Sequence, residues 1–211
     1  MKRILLPEFE KEPSPFCGRA EDTEEHIEDT CFSGADFSRL DCEKNEFASV
    51  KFLNCRFAGT NFARADFFNT GFENCDFSGA VFTDAAFRKV KLSGCKGLGT
   101  YFYKAYFTDA TIEGCNLSYS NFSEGKFRTA IFKDCAMKEC GLNFCKLKDL
   151  YFEKCDMTGA DIGGTIFRGT DFTTCALAGI TLSADLHELR GAAVNGAQAE
   201  QLLRGTGIIV R

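Results

Sequence analysis

Tryptophan is absent from the chain, histidine occurs twice and proline three times in 211 residues. Neither His26 nor His187 has a nucleophile or a carboxylate pair beside it, which removes the usual means of nucleophilic and acid–base catalysis. There is no glycine-rich phosphate loop, and no C-x-x-C pair of the kind that holds zinc. No catalytic residue, cofactor or metal ligand is expected, and no small-molecule substrate. Long apolar runs are missing as well. Ile4-Leu5-Leu6 stops at Pro7, too short for a signal-peptide core, and no later stretch approaches a membrane span. The expectation is a soluble, cytoplasmic protein without membrane contact.

Phenylalanine, by contrast, occurs 23 times and glycine 20 times. That bias points to one structural position refilled many times. From Phe32 to Leu182 a large apolar residue recurs every five positions without a slip of register, at thirty-one centres that include Phe47, Phe52, Phe62 and Phe82. Nineteen are Phe; Cys42 and Gly97 are the exceptions to large apolar character. Two residues before each centre stands a small or β-branched residue, as at Val50, Cys55, Thr60 and Ala65. Residues two apart in extended chain share a face, so both sets point inward and the three polar positions between them point to solvent. A period of five suits neither a long flat strand nor an α-helix, so the chain must turn a corner every five residues.

Cys55, Cys75, Cys95, Cys115, Cys135, Cys155 and Cys175 stand twenty residues apart in the small inward position. One residue type returning at every fourth pentad means that like sites stack in a column. Four pentads therefore close one coil, and the cross-section is a square. At about 4.8 Å per coil the repeat region is a rod roughly 37 Å long. Column neighbours have parallel Cβ vectors, which excludes disulfides between them, and the thiols read as small buried core groups in a reducing compartment. Cys140 and Cys145 share the inward position, leaving Cys17 and Cys31 as the accessible thiols. In Lys96-Gly97-Leu98-Gly99 a core side chain is missing, and Leu98 is expected to swing inward through a bulge that changes the curvature of the rod.

The open coil needs covering at each end. Residues 1–26, with all three prolines, are expected to cap the first coil, with Ile27 as a weaker first centre; residues 27–183 form the solenoid. Residues 184–211 read as a C-terminal helix and strand: Asn195 and Gln198 have the spacing of an N-capping box, Gly205 fits a helix C-terminus, and Ile208-Ile209-Val210 reads as a strand. The apolar residues of this tail, Leu186, Leu189, Val194, Leu202, Leu203, Ile208 and Ile209, exceed what a plug for one square end requires, which predicts a twofold homodimer through the C-terminus.

Position modulo twenty assigns each outward charge to a wall. The wall centred on Phe62 and Phe82 carries Asp41, Glu43, Asp84, Glu124 and Asp161 against three cations, net −2. The wall centred on Phe67 and Phe87 is net +3. Tyr101, Tyr103 and Tyr106 cluster round one corner just past Gly97. These five acids and three tyrosines are the candidate partner-facing residues. The coil as a whole holds 20 acids and 18 bases, and with a net charge of −5 for the chain direct nucleic-acid binding is not expected.

Small-x-Phe/Leu-x-x pentads followed by an apolar helical tail resemble the pentapeptide-repeat proteins, and within them the Qnr and MfpA type. The more specific segments are Cys75-Asp76-Phe77-Ser78-Gly79-Ala80, Asn116-Leu117-Ser118-Tyr119-Ser120-Asn121-Phe122-Ser123, and Ala199-Glu200-Gln201-Leu202-Leu203 through Gly207-Ile208-Ile209-Val210. They look most like the chromosomal Qnr proteins of Gram-positive cocci. The resemblance implies a right-handed quadrilateral β-helix of pentapeptide repeats with a short C-terminal α-helical dimerisation cap. It further implies a DNA-mimicking protein that binds DNA gyrase and/or topoisomerase IV, inhibiting the enzyme and/or protecting it from fluoroquinolones, a route to antibiotic resistance. The unbroken register leaves no room for the projecting loops of Gram-negative Qnr proteins, so the outline is more MfpA-like. The near-neutral coil suits an alternative, a structural or scaffolding repeat protein with an unrelated protein partner.

Overall fold

Phe32 stands opposite Phe52, Phe52 opposite Phe72 and Phe72 opposite Leu92, each pair in parallel register. The computed structural model describes Ser14–Pro15 and residues 26–205. Over them the chain is a four-sided parallel β-solenoid with one short C-terminal helix. Its strands are β1 (Ser14–Pro15), β2 (His26–Glu28), β3 (Thr30–Ser33), β4 (Glu46–Ala48), β5 (Lys51–Leu53) and β6 (Asp66–Phe68). Then follow β7 (Gly71–Glu73), β8 (Ala86–Arg88), β9 (Lys91–Ser93), β10 (Tyr106–Glu113), β11 (Lys126–Lys133), β12 (Lys146–Glu153) and the helix α1 (Gly196–Gly205). From β2 onward paired strands are offset by twenty residues, which is the four-pentad coil the cysteine spacing requires.

Strands occupy two adjacent walls, β2, β4, β6 and β8 on one and β3, β5, β7 and β9 on the next, while β10, β11 and β12 run round the corner between them. The remaining walls pair through single bridges, such as Asn61↔Val81 and Asp76↔Lys96. Their sequence explains the difference. Asp or Asn often precedes the centre there, and its side chain accepts the backbone N–H two residues on: Asn61 Oδ1 from Ala63 at 3.0 Å, Asp76 Oδ1 from Ser78 at 3.0 Å, Asn121 Oδ1 from Ser123 at 2.9 Å. Such side-chain turns compete with extended pairing and bend the wall into turns. Asp171 brings the same device to a strand wall, accepting from Thr173 N at 2.8 Å, and strand geometry ends at β12.

From Asp29 to Gly169 each corner is made by a left-handed residue two places after the centre, as at Asn54 (φ 51°) and Gly59 (φ 69°). Asn, Asp and Gly fill many of these positions because that region is least costly for them.

Inside, the rings stack along each wall and meet edge-on between walls. Phe62 and Phe82 lie 5.0 Å apart at 10°, whereas Phe62 and Phe67 lie 5.5 Å apart at 70°. Both are arrangements that the ring quadrupoles favour over a face-to-face sandwich. The small inward residues face the same interior and satisfy the carbonyls of the coil before: Thr60 Oγ1 donates to Phe37 O at 2.7 Å and Cys75 Sγ to Phe52 O at 3.4 Å. Phe62, Phe82, Cys55 and Cys75 are all buried, as the pentad pattern requires.

The structure corrects the reading at Gly97. No bulge forms: Lys96 keeps its bridges to Asp76 and Asn116, and Leu98 stays half-buried on the outside. The space is filled from above and below, since a Cβ on Gly97 would lie 2.8 Å from the Phe77 ring and 3.0 Å from Leu117 Cδ2.

At the first coil Ile27 pairs with Phe47 as a true centre, and Ser14–Pro15 pair with Thr30–Cys31 as one further rung. His26, expected in the 1–26 cap, instead opens β2; the rest of that cap, with Cys17, lies outside the described residues, as do Ile208, Ile209 and Val210. At the other end a 3-10 turn at His187–Leu189 carries Glu188, fully buried, which accepts from Gly164 N (3.0 Å), Ser183 N (3.2 Å) and Ser183 Oγ (2.7 Å). Helix α1 follows, entered through the Asn195–Gln198 capping box.

Candidate protein-interaction surface

The five carboxylates on the wall of Phe62 and Phe82 project at fixed rung heights, but four of them, Asp41, Glu43, Glu124 and Asp161, have a local engagement. Asp41 Oδ1 accepts from Glu43 N at 3.2 Å and from Asn61 Nδ2 at 2.8 Å, so it holds a turn as well as a charge. Asp161 does the same through Gly163 N at 3.1 Å. Glu43 pairs with Arg64. Glu124 accepts from the Tyr103 hydroxyl at 2.6 Å and pairs with Lys104 at 3.6 Å. The Tyr103 hydrogen bond, and then the Lys104 charge, hold the Glu124 carboxyl below the usual range. Asp84 is exposed and shares a 540 Å³ surface depression with Lys104, Tyr106, Glu124, Lys126, Phe144 and Lys146.

The structure thus brings Tyr103, Tyr106, Asp84 and Glu124 together at one corner, whereas Asp41, Glu43 and Asp161 lie coils away towards the two ends. Tyr101 is exposed on the same wall. Tyr106 receives a hydrogen bond from Lys126 Nζ at 2.8 Å, with that ammonium 4.4 Å from its ring centre. Tyr103 and Tyr106 act as partners for lysine and glutamate side chains and not as a bare aromatic patch.

The tail residues divide into two groups. Leu189 and Val194 pack against the core of the coil and plug it. Leu186 and Leu202 line a 360 Å³ groove with Leu177, Ile180, Leu182 and Gln201, between α1 and the last coil. Leu203 is half-buried on α1. Gln198 is the residue that pattern reading undervalued: beyond its capping role it donates to Phe172 O at 2.7 Å and Cys175 O at 2.6 Å. Glu188 was not singled out at all, because a buried acid inside a charged, non-repeating segment has no periodic signal. Ile166, exposed beside the inward Phe167, was also missed.

Among the described residues no three His, Cys, Asp or Glu side chains converge as a metal centre requires, and no helix is long and apolar enough to cross a membrane. Cys31 is half-buried and the other ten described cysteines are buried. Burial pushes the Cys42 thiol up to about 11 and the Cys140 and Cys145 thiols to about 12, away from the reactive thiolate.

A family profile described as pentapeptide repeat region matches residues 25–102, 45–122 and 105–182. Among solved structures the chain is similar to a trypsin-treated form of QnrB1, a plasmid-mediated fluoroquinolone resistance protein, with 27% identity over 93% of this chain and 95% of that one and a TM-score of 0.45. Full-length QnrB1 gives 26% identity, 87% and 90% coverage and a TM-score of 0.43. HetL, a pentapeptide repeat protein involved in heterocyst differentiation regulation in the cyanobacterium Nostoc sp. strain PCC 7120, gives 16% identity, 79% and 88% coverage and a TM-score of 0.42. No curated protein matches in sequence.

Proposed function

The chain belongs to the pentapeptide-repeat family, and from that premise we propose that it binds DNA gyrase and/or topoisomerase IV as a DNA-mimicking protein, inhibiting the enzyme and/or protecting it from fluoroquinolones. The observation that carries this reading is the rod itself. A continuous run of parallel bridges from Asp41 through Asn61, Val81, Tyr101, Asn121 and Gly141 to Asp161 and Thr181 holds Asp41, Glu43, Asp84, Glu124 and Asp161 on one wall, at heights fixed in multiples of about 4.8 Å. Duplex DNA presents a charge about every 1.7 Å of its axis, and a rigid rod bearing carboxylates in register can enter a site shaped for it. The Qnr-like segments at Cys75–Ala80, Asn116–Ser123 and Ala199–Leu203 support the same assignment.

The C-terminal groove supports the dimer. Leu177, Ile180, Leu182, Leu186 and Leu202 leave an apolar depression at the end of the rod, where the same groove on a second copy would close it about a twofold axis. Two rods joined in this way would extend the mimic to at least about 75 Å. A monomeric mass in solution at micromolar concentration would overturn this part.

The ion pairs Glu43–Arg64 and Glu124–Lys104 reduce the net field of the acidic wall and favour the second reading, a scaffolding repeat protein with an unrelated protein partner. Purified protein in gyrase and topoisomerase IV supercoiling, relaxation and quinolone-stabilised cleavage assays separates the two. Inhibition or loss of cleavage complexes is expected; no effect at tens of micromolar rejects topoisomerase binding.

A further inference from the structure

Two columns of cations run down the wall next to the acidic one. In β11 and β12 Lys126 stands directly opposite Lys146, and Arg128 directly opposite Lys148. One rung further, Arg168 continues the second column. Like charges opposite one another on neighbouring strands repel, so this pattern costs stability that the fold alone gives no reason to spend. Elsewhere on the rod several cations are paired with acids, as in Arg88–Asp66, Lys96–Asp76 and Lys133–Glu113, and Lys51, Arg56 and Lys91, which form no ion pair among the described residues, have no cation directly opposite on the neighbouring rungs. Among the described residues Arg128, Lys146, Lys148 and Arg168 form no ion pair, and Lys126 is held by the Tyr106 hydroxyl and ring, not by an acid.

The same wall is apolar at its margin. Phe144 is 67% exposed although it occupies a left-handed corner (φ 53°), a conformation unfavourable for a bulky side chain. Its ring lies against Gly164, where a Cβ would come within 2.5 Å of the ring carbons. Ile166, 47% exposed, continues the column of Lys126 and Lys146. Depressions of 540 Å³ and 550 Å³ flank Lys146, the second lined by Leu147, Asp149, Leu150, Tyr151, Ile166 and Arg168, where strand geometry gives way to turns and Leu147 is only half-buried.

We propose that this wall, from Lys126 to Arg168, is a second interaction surface that binds a protein segment carrying several carboxylates and at least one large apolar side chain. Charge complementarity selects an anion for the two cation columns, and Phe144 with Ile166 selects an apolar group beside it. A nucleic acid is the poorer fit. A phosphate backbone leaves Phe144 and Ile166 uncovered and carries its charge continuously past Asp84, Glu124 and Asp149, which line the depressions beside Lys146, whereas a protein segment can place separate carboxylates over the cations alone. The surface adjoins the acidic wall at the corner of Asp84, Tyr106 and Glu124, but its test uses defined peptides and no topoisomerase, so it does not depend on the topoisomerase assignment.

The test is fluorescence anisotropy with a labelled peptide of alternating Glu and Leu. A Lys-Leu peptide and a single-stranded oligonucleotide of matched charge serve as comparators. The Glu-Leu peptide is expected to bind the full chain, to weaken as salt rises, and to bind Lys146→Glu and Arg168→Glu at least about 10-fold less tightly and Phe144→Ser about 3-fold less tightly. Lys146→Glu should also raise the melting temperature at low salt, by about 1–3 °C, because it replaces repulsion from Lys126 with attraction. Tighter binding of the oligonucleotide than of the peptide, equal binding of the two peptides, or charge variants that bind the Glu-Leu peptide like the parent would each overturn the proposal.

Discussion

Asn195 and Gln198 exchange hydrogen bonds: Asn195 N donates to Gln198 Oε1 at 2.7 Å, and Gln198 N donates to Asn195 Oδ1 at 3.0 Å. The free end of the Gln198 amide reaches into the last coil, where Phe172 O and Cys175 O accept from Nε2. One side chain thereby starts α1 and satisfies two carbonyls at the open end of the solenoid, joining the repeat to its cap.

Gln198→Ala is expected to destabilise the protein by about 1–3 kcal/mol, the cost of a lost cap and unsatisfied buried acceptors. Gln201→Ala, at an exposed position of the same helix, should change stability by less than about 0.5 kcal/mol. Urea denaturation gives the magnitudes, and amide hydrogen exchange over Gly196–Gly205 should quicken in the first variant alone.

Gly97→Ala should cost about 1–3 kcal/mol, because the added methyl meets the Phe77 ring and Leu117 from neighbouring coils and the packed core cannot give way freely. Leu98→Ala, outside the tube, should cost less. A Gly97→Ala variant as stable as the parent would show that the coil has a cavity there.

The repeat was legible because its signals are periodic. Phe62 and Phe82 face inward because a five-residue period with inward sites two apart admits no other arrangement, and the Cys55–Cys75 spacing fixes the coil at four pentads. The wall conformations were less visible, since an Asp or Asn before the centre acts through a local hydrogen bond that hydrophobic pattern does not register. Glu188 was illegible for a related reason. Its burial depends on chain beyond Leu182 folding back over the last coil, an event without periodicity. The wall charges could be sorted by arithmetic, but not their pairing, since Glu43–Arg64 and Glu124–Lys104 depend on how long side chains reach between rungs.

Glu188 sets a pH dependence. Burial alone would raise its pKa, but the Ser183 hydroxyl and the N–H groups of Gly164 and Ser183 outweigh burial and hold it below the ordinary value of 4.5. A carboxyl lowered on folding contributes stability that is present above the unfolded pKa and lost as pH falls through the folded one. Glu188→Gln should therefore be less stable than the parent at neutral pH, with the difference shrinking as the pH falls below about 4. An offset constant with pH would mean that the carboxylate contributes nothing as a charge.

Thiol reactivity should follow burial. In the native protein Ellman's reagent is expected to label Cys31 among the described cysteines, while the column from Cys55 to Cys175 stays silent until denaturant exposes it. Rapid native labelling of Cys75 or Cys115, read by mass spectrometry, would place those side chains outside the tube.

Competition for the enzyme tests topoisomerase mimicry most directly. Gyrase is held at a fixed concentration with a labelled linear duplex, the protein is titrated in, and DNA release is followed by anisotropy. The account predicts progressive, complete displacement of the duplex, because rod and DNA occupy one site. A ternary complex in which protein and duplex remain bound together, or full retention of the duplex at saturating protein, would contradict it.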